Sequence, residues 1–242
     1  MVSKPENIAS WITSVATLVI AIITGIGGCI GYKAYVEYKN MNEEYKKMNE
    51  LSAFSSLDES ERRIFENVIR DDMLTALWAY IPEHLSVKER VDKQLGLISN
   101  YKQDKPVDSS FNYKWQNVHD LEKYIYDSEH YYESKRMRLR KCYNLAEGIL
   151  YLIFTAHNAK DRAILGDEYW FIYSGYMYDI GSHPLFIAAI AYGHDYGFYN
   201  KRFATMLHNT YTSNENLKGV MLEIYPEMKD SSWIETIGKN KK

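Results

Sequence analysis

Residues 8–32 read IASWITSVATLVIAIITGIGGCIGY and contain no Asp, Glu, Lys or Arg. As an α-helix rising about 1.5 Å per residue, this run can cross a hydrocarbon core of roughly 30 Å with some tilt to spare. Buried helices of globular domains are rarely this long. Charge also brackets the run closely, with Lys4 and Glu6 before it and Lys33 after it. The expectation is a single transmembrane helix over 8–32. A cleaved signal peptide would have an apolar core of roughly 7–15 residues behind a positive n-region. Here the run is longer, and Glu6 offsets Lys4. Ile26-Gly27-Gly28-Cys29 loosely matches a lipoprotein cleavage box, but Ile30-Gly31-Tyr32 stay apolar where a mature lipoprotein turns polar.

The run carries a seam of small residues. Ser10, Ser14, Thr17, Ala21, Thr24, Gly28 and Gly31 recur at alternating steps of four and three, so they share one helix face. Lipid is as apolar as leucine, so spans associate through close backbone packing, and such a face permits it. Gly27 and Gly31 add a GxxxG pair on a neighbouring face. Self-association of the span through Ser14, Thr17, Ala21, Thr24, Gly28 and Gly31 is expected.

Orientation follows the basic residues near the membrane. Lys33, Lys39, Lys46 and Lys47 follow the run, whereas Lys4 and the amino terminus precede it. Residues 1–7 are thus expected to be a short extracytoplasmic tail, with the rest of the chain cytoplasmic at the inner membrane of a bacterial cell. Residues 33–54, rich in Glu and Lys and free of Gly and Pro, should continue the helix as a stalk. Tyr38, Met41, Tyr45 and Met48 repeat there at three-and-four spacing, the pattern of a coiled-coil seam.

What remains of the 242 residues is enough for one domain with its own core. The net charge of −3 offers no overall basic excess, so nucleic acid is not an expected partner. There are two cysteines, Cys29 in the apolar run and Cys142 in a helical tract, so no disulfide framework is available to the domain. The domain is expected over 55–212. Ser55-Ser56-Leu57-Asp58 reads as a break and cap, followed by helices over 58–79 and 86–101 and a loop over 103–112. A long helical tract covers 115–158, bent near its middle. Further helices begin at Asp167, at Pro184 and at Gly197. Residues 213–242 read as a short helix near 217–224 and a loose tail. Period-two runs of Val and Thr are absent, so the fold class is all-α, a helical bundle.

Three places could carry chemistry. Ile187–Tyr196, IAAIAYGHDY, resembles the His-Asp step of HD-type metal phosphohydrolases, in which a helix presents adjacent ligands to a metal that activates water. Catalysis on this pattern would use His194 and Asp195 with His157 or His183 upstream. It lacks a firm downstream carboxylate, because Asp230 falls in the tail. A second His-Asp pair, His119-Asp120, recurs without pattern. Glu147 sits among Leu145, Ala146, Ile149 and Leu150 and needs a partner, with His157, Arg162 or a tyrosine hydroxyl as candidates. Lys135, Arg136, Arg138, Arg140 and Lys141 form the strongest basic run and could meet anionic lipid or a nucleotide phosphate. Spread at 100° per residue, they make no clean stripe. No Walker loop, GxSxG, HExxH, CxxC or dinucleotide fingerprint is present, and no Arg is followed at ribonuclease spacing by His. No cofactor is expected, and no metal in the leading reading.

The order of these features resembles a group of bacterial membrane-anchored helical proteins of unknown function, some described as phage abortive-infection proteins. The resemblance rests on the IASWITSVATLVIAII-type opening, the charged stalk, the helix over Asn144–His157, the Trp170 helix and His183-Pro184-Leu185-Phe186. It implies a non-enzymatic sensor, scaffold or effector in phage defence or stress signalling, and assigns no catalytic residue. Its partners would be the bilayer, a second copy through span and stalk, and a protein bound by the helical domain. The contrasting readings are a membrane-tethered HD-like phosphohydrolase and a module for anionic lipid or nucleotide.

Overall fold

The structure, a computed structural model, describes the backbone of residues 5–79, 81, 85–101 and 116–239, and within them the side chains from residue 33 onward except residue 34. Every regular element among the described residues is helical. The chain divides into two compact units, residues 1–51 and 52–242.

Helix α1 covers Pro5–Arg70. In the first unit the described part of α1 is solvated, and Tyr38, Met41, Tyr45 and Met48 are 65%, 51%, 58% and 60% exposed. Among the described residues no helix is long and apolar enough to cross a membrane. The side chains of 8–32, and with them the expected span and its seam at Ser14, Thr17, Ala21, Thr24, Gly28 and Gly31, lie outside those described.

The second unit is a bundle around two helices, α4 (Ser134–Asp161) and α6 (Pro184–Asp195), which pack on each other. Helix α6 is buried nearly all round, with Leu185, Phe186, Ile187 and Ile190 fully enclosed. Burying each such side chain contributes about 1.5–3 kcal/mol. Around this pair stand α2 (Val87–Ser99), α3 (Val118–Tyr126), α5 (Asp167–Ile180), α7 (Lys201–Ser213) and α8 (Glu215–Ile224). Short 3-10 turns occupy Asp72–Trp78, Pro226–Lys229 and Ser231–Thr236.

The starts of these helices follow from local chemistry. Ser86 Oγ accepts from the Glu89 N–H at 3.3 Å, and the Glu89 carboxylate accepts from the Ser86 N–H at 2.8 Å, a reciprocal capping box. Asn117, Asn200 and Asn214 cap α3, α7 and α8 through their side-chain oxygens. Pro184 opens α6, its fixed φ suiting the first turn.

Three expectations change. The break at Ser55–Asp58 is absent, and α1 continues to Arg70. Leu57 is buried there, Phe54 packs tilted on Tyr169 with ring centroids 4.4 Å apart, and the pairs Glu59–Arg63 and Arg62–Glu66 bind across successive turns. Tertiary packing thus overrides the weak helix preference of the Ser-Ser-Leu-Asp string. The 115–158 tract is two helices, parted at 127–133 because Asp127 turns its carboxylate onto the Glu129 N–H, His130 and Arg136. The tail is not loose through 239. Met228 and Trp233 are buried, and the Gly238 N–H donates to the His194 carbonyl at 2.9 Å. Gly197 and Gly238 both have positive φ (71° and 69°), and a Cβ added to either would lie 3.2 Å from the Cα of the other, so this turn docks where side chains are tightly excluded.

Candidate functional site

Helices α4 and α6 lie side by side and leave a groove of about 570 Å³ between Glu147, Tyr151 and Phe154 on one wall and Gly193, Phe198 and Tyr199 on the other. Gly193 makes this geometry possible. A Cβ there would fall 2.2 Å from the Tyr199 hydroxyl, which instead lies against α6 and donates to the Ala189 carbonyl at 3.2 Å. Exposed aromatics rim the groove, with Tyr151 at 69% and Phe198 at 57% exposure, and Tyr196 stacked beside Phe198 at 6.0 Å.

Glu147 is half-buried in the groove, and burial raises its pKa. Among the described residues none of the suggested partners, His157, Arg162 or a tyrosine hydroxyl, hydrogen-bonds to it. On α3, Glu122 is pushed up to about 7 by burial first, then by the negative charge of Asp195 and of Glu147. The nearby Tyr143 hydroxyl is buried without a hydrogen-bond partner. The groove is therefore apolar and aromatic, and the carboxylate that lines it, Glu147, has its pKa raised by burial.

His194 and Asp195 end α6 as expected, but both ring nitrogens of His194 are engaged. Nδ1 faces Asp195 at 3.1 Å and Nε2 faces the Trp233 carbonyl at 2.8 Å, while the ring stacks on Trp233 at 4.5 Å. His119, whose pairing with Asp120 carried no pattern in the sequence, instead approaches Asp195 at 3.5 Å. That meeting was missed because only the packing of α3 on α6 creates it. His157 stands apart, wedged edge-on against Trp170 and Phe203, and burial lowers its pKa. Among the described residues no three His, Cys, Asp or Glu side chains converge to hold a metal ion.

The basic run is wired inward. Arg136 bonds Asp127 at 2.7 Å and the Tyr124 carbonyl at 3.0 Å, with its guanidinium over the Tyr124 ring. Arg138 donates to the Ser99 carbonyl. Arg140 donates to the Ile125 and Tyr131 carbonyls and lies over the Tyr131 ring. Lys141 pairs with Asp71 at 2.8 Å, and Lys135 projects into solvent. The arginines cap the ends of α2 and α3 and fill the 127–133 turn, a role for which spacing along one helix gave no signal.

No family model, curated protein or solved structure matches the chain.

Proposed function

We propose that this protein is a membrane-anchored, non-enzymatic sensor or scaffold, self-associating through span and stalk, whose cytoplasmic bundle binds a protein partner. The observation that carries this reading is the exposed stripe of Tyr38, Met41, Tyr45 and Met48 on an unbroken helix. Large apolar side chains more than half exposed at a-and-d spacing match a seam awaiting a second helix. Counting back one heptad from Tyr38 reaches Gly31, so in sequence the small-residue seam of the 8–32 run and the stalk stripe keep one helical register. Close packing in lipid and a heptad seam outside it would then belong to one parallel contact between copies. The aromatic rim of the α4–α6 groove has the composition of a partner-binding hot spot. A setting in phage defence or stress signalling at a bacterial inner membrane fits a tethered contact protein of this kind.

The test is cysteine cross-linking in membranes. Met41→Cys and Tyr45→Cys should join copies under mild oxidation, whereas Glu43→Cys on the opposite face should not. Recovery of the full chain in the soluble fraction without detergent, or cross-linking with no dependence on face, would sink the reading. An HD-like hydrolase reading would need bound metal and phosphodiesterase activity lost in His194→Ala.

A further inference from the structure

A second cavity, of about 740 Å³, opens where α2, α5 and the starts of α6 and α8 meet. Its lining combines four features that favour negative charge. The Arg90 guanidinium of α2 lines it, and its Nε is buried without a hydrogen-bond partner. His183 lines it too and is 1% exposed. The Nδ1 of His183 accepts from the Leu185 N–H at 3.2 Å, which places the hydrogen of the neutral ring on Nε2. That Nε2–H is a buried donor with no partner, a condition that destabilises the fold unless something accepts from it. The third and fourth features are helix starts. Ser182 and His183 precede the 12-residue α6, and Asn214 and Asn216 flank the start of the 10-residue α8. Each helix N-terminus carries roughly half a positive charge.

The opposing charges are modest. Asp179 lines the cavity but is exposed, and Glu215 in the first turn of α8 pairs with Lys218 at 3.3 Å. Arg90 and two helix ends sum to about two positive charges, the charge of a phosphate monoester, about −1.5 to −2. The two unpartnered donors, Arg90 Nε–H and His183 Nε2–H, come from separate elements, and the dipoles of α6 and α8 add positive field. Trp78 and Leu217 offer an apolar wall for the rest of the molecule.

We propose that this cavity binds a phosphate monoester, its oxygens held by Arg90 and the His183 Nε2–H within the field of the N-terminal dipoles of α6 and α8. The site does not depend on membrane tethering, so its failure and the failure of the anchor reading are separate results.

The experiment is isothermal titration calorimetry on the full chain in neutral detergent micelles. Inorganic phosphate and glycerol 3-phosphate should bind at a single site and compete, and glycerol should not bind. Arg90→Gln should weaken both by about tenfold or more, the usual loss for a hydrogen bond to a charged group. His183→Asn keeps an acceptor for the Leu185 N–H but removes the ring donor, and should weaken both as well, with the helical circular dichroism unchanged. A short-chain phosphatidic acid added to the micelles assigns the source: tighter binding than glycerol 3-phosphate points to a lipid headgroup, equal or weaker binding to a soluble ester. The proposal is overturned by no phosphate binding at millimolar concentration, by affinities unaltered in both variants, or by acetate binding as tightly as phosphate.

Discussion

Glu122 is neutral in the folded chain up to about pH 7, while an unfolded glutamate ionises near 4.5. Between those values the native state holds the extra proton, so Glu122 lowers stability as pH rises and its cost is complete above pH 7. His183 acts in the opposite sense. Burial pushes its pKa from 6.5 down to about 3, so its contribution is intact above 6.5 and is lost as pH falls toward 3. The two slopes oppose each other between 4.5 and 6.5, and substitution separates them. The stability gained by Glu122→Gln over the native chain, from urea melts, should grow from pH 4.5 to 7 and then level off. A gain independent of pH would refute the assignment. Gly193→Ala should expel Tyr199 from the α6 surface and cost about 1–3 kcal/mol by overpacking, read from the same melts. Some of this was legible in the sequence and some was not. Glu147 stood out as an acid within an apolar string. Glu122 did not, because it sits in a mixed string, HDLEKY, and its burial comes from the packing of α3 on α4 and α6.

At the scale of elements, local chemistry carried furthest where it is self-contained. The Pro184 start and the Ser86 cap can be read from short strings, because the groups that satisfy each other lie within one turn. Ser86→Ala removes one half of the capping box and should cost about 1 kcal/mol in urea melts. Strings whose fate depends on distant partners misled. Ser55–Asp58 is held helical by Leu57 and Phe54 against α5 and its flank, and the arginines of α4 gain their role from the ends of α2 and α3. Arg140→Met keeps most of the stem but leaves the Ile125 and Tyr131 carbonyls without their donor. It should cost about 1–3 kcal/mol, measured with a matched Lys135→Met that costs almost nothing.

For the whole molecule, the all-α class was readable, since the absence of period-two runs and the presence of capped amphipathic runs leave a helical architecture, and every regular element among the described residues is helical. The closing of the bundle was not. Met228 and Trp233 sit in a polar stretch with little periodicity, yet they complete the core. Trp233→Ala should cost about 3–5 kcal/mol and expose the end of α6, seen as dye binding at temperatures where the native chain binds none. On the proposed anchor reading, removal of residues 1–33 should release the remaining chain from the membrane fraction without changing the melting profile of the bundle. Aggregation of that product in place of a clean melt would mean that the apolar run belongs to the globule.

The lock between His194 and Trp233 joins positions 39 residues apart. A ribosome adding about 5–20 residues per second finishes α6 several seconds before its seal emerges. Throughout that interval the nascent bundle presents a greasy, half-finished face. A holdase would have its opportunity there, and stalled or nonsense-terminated transcripts would yield sticky fragments destined for proteolysis.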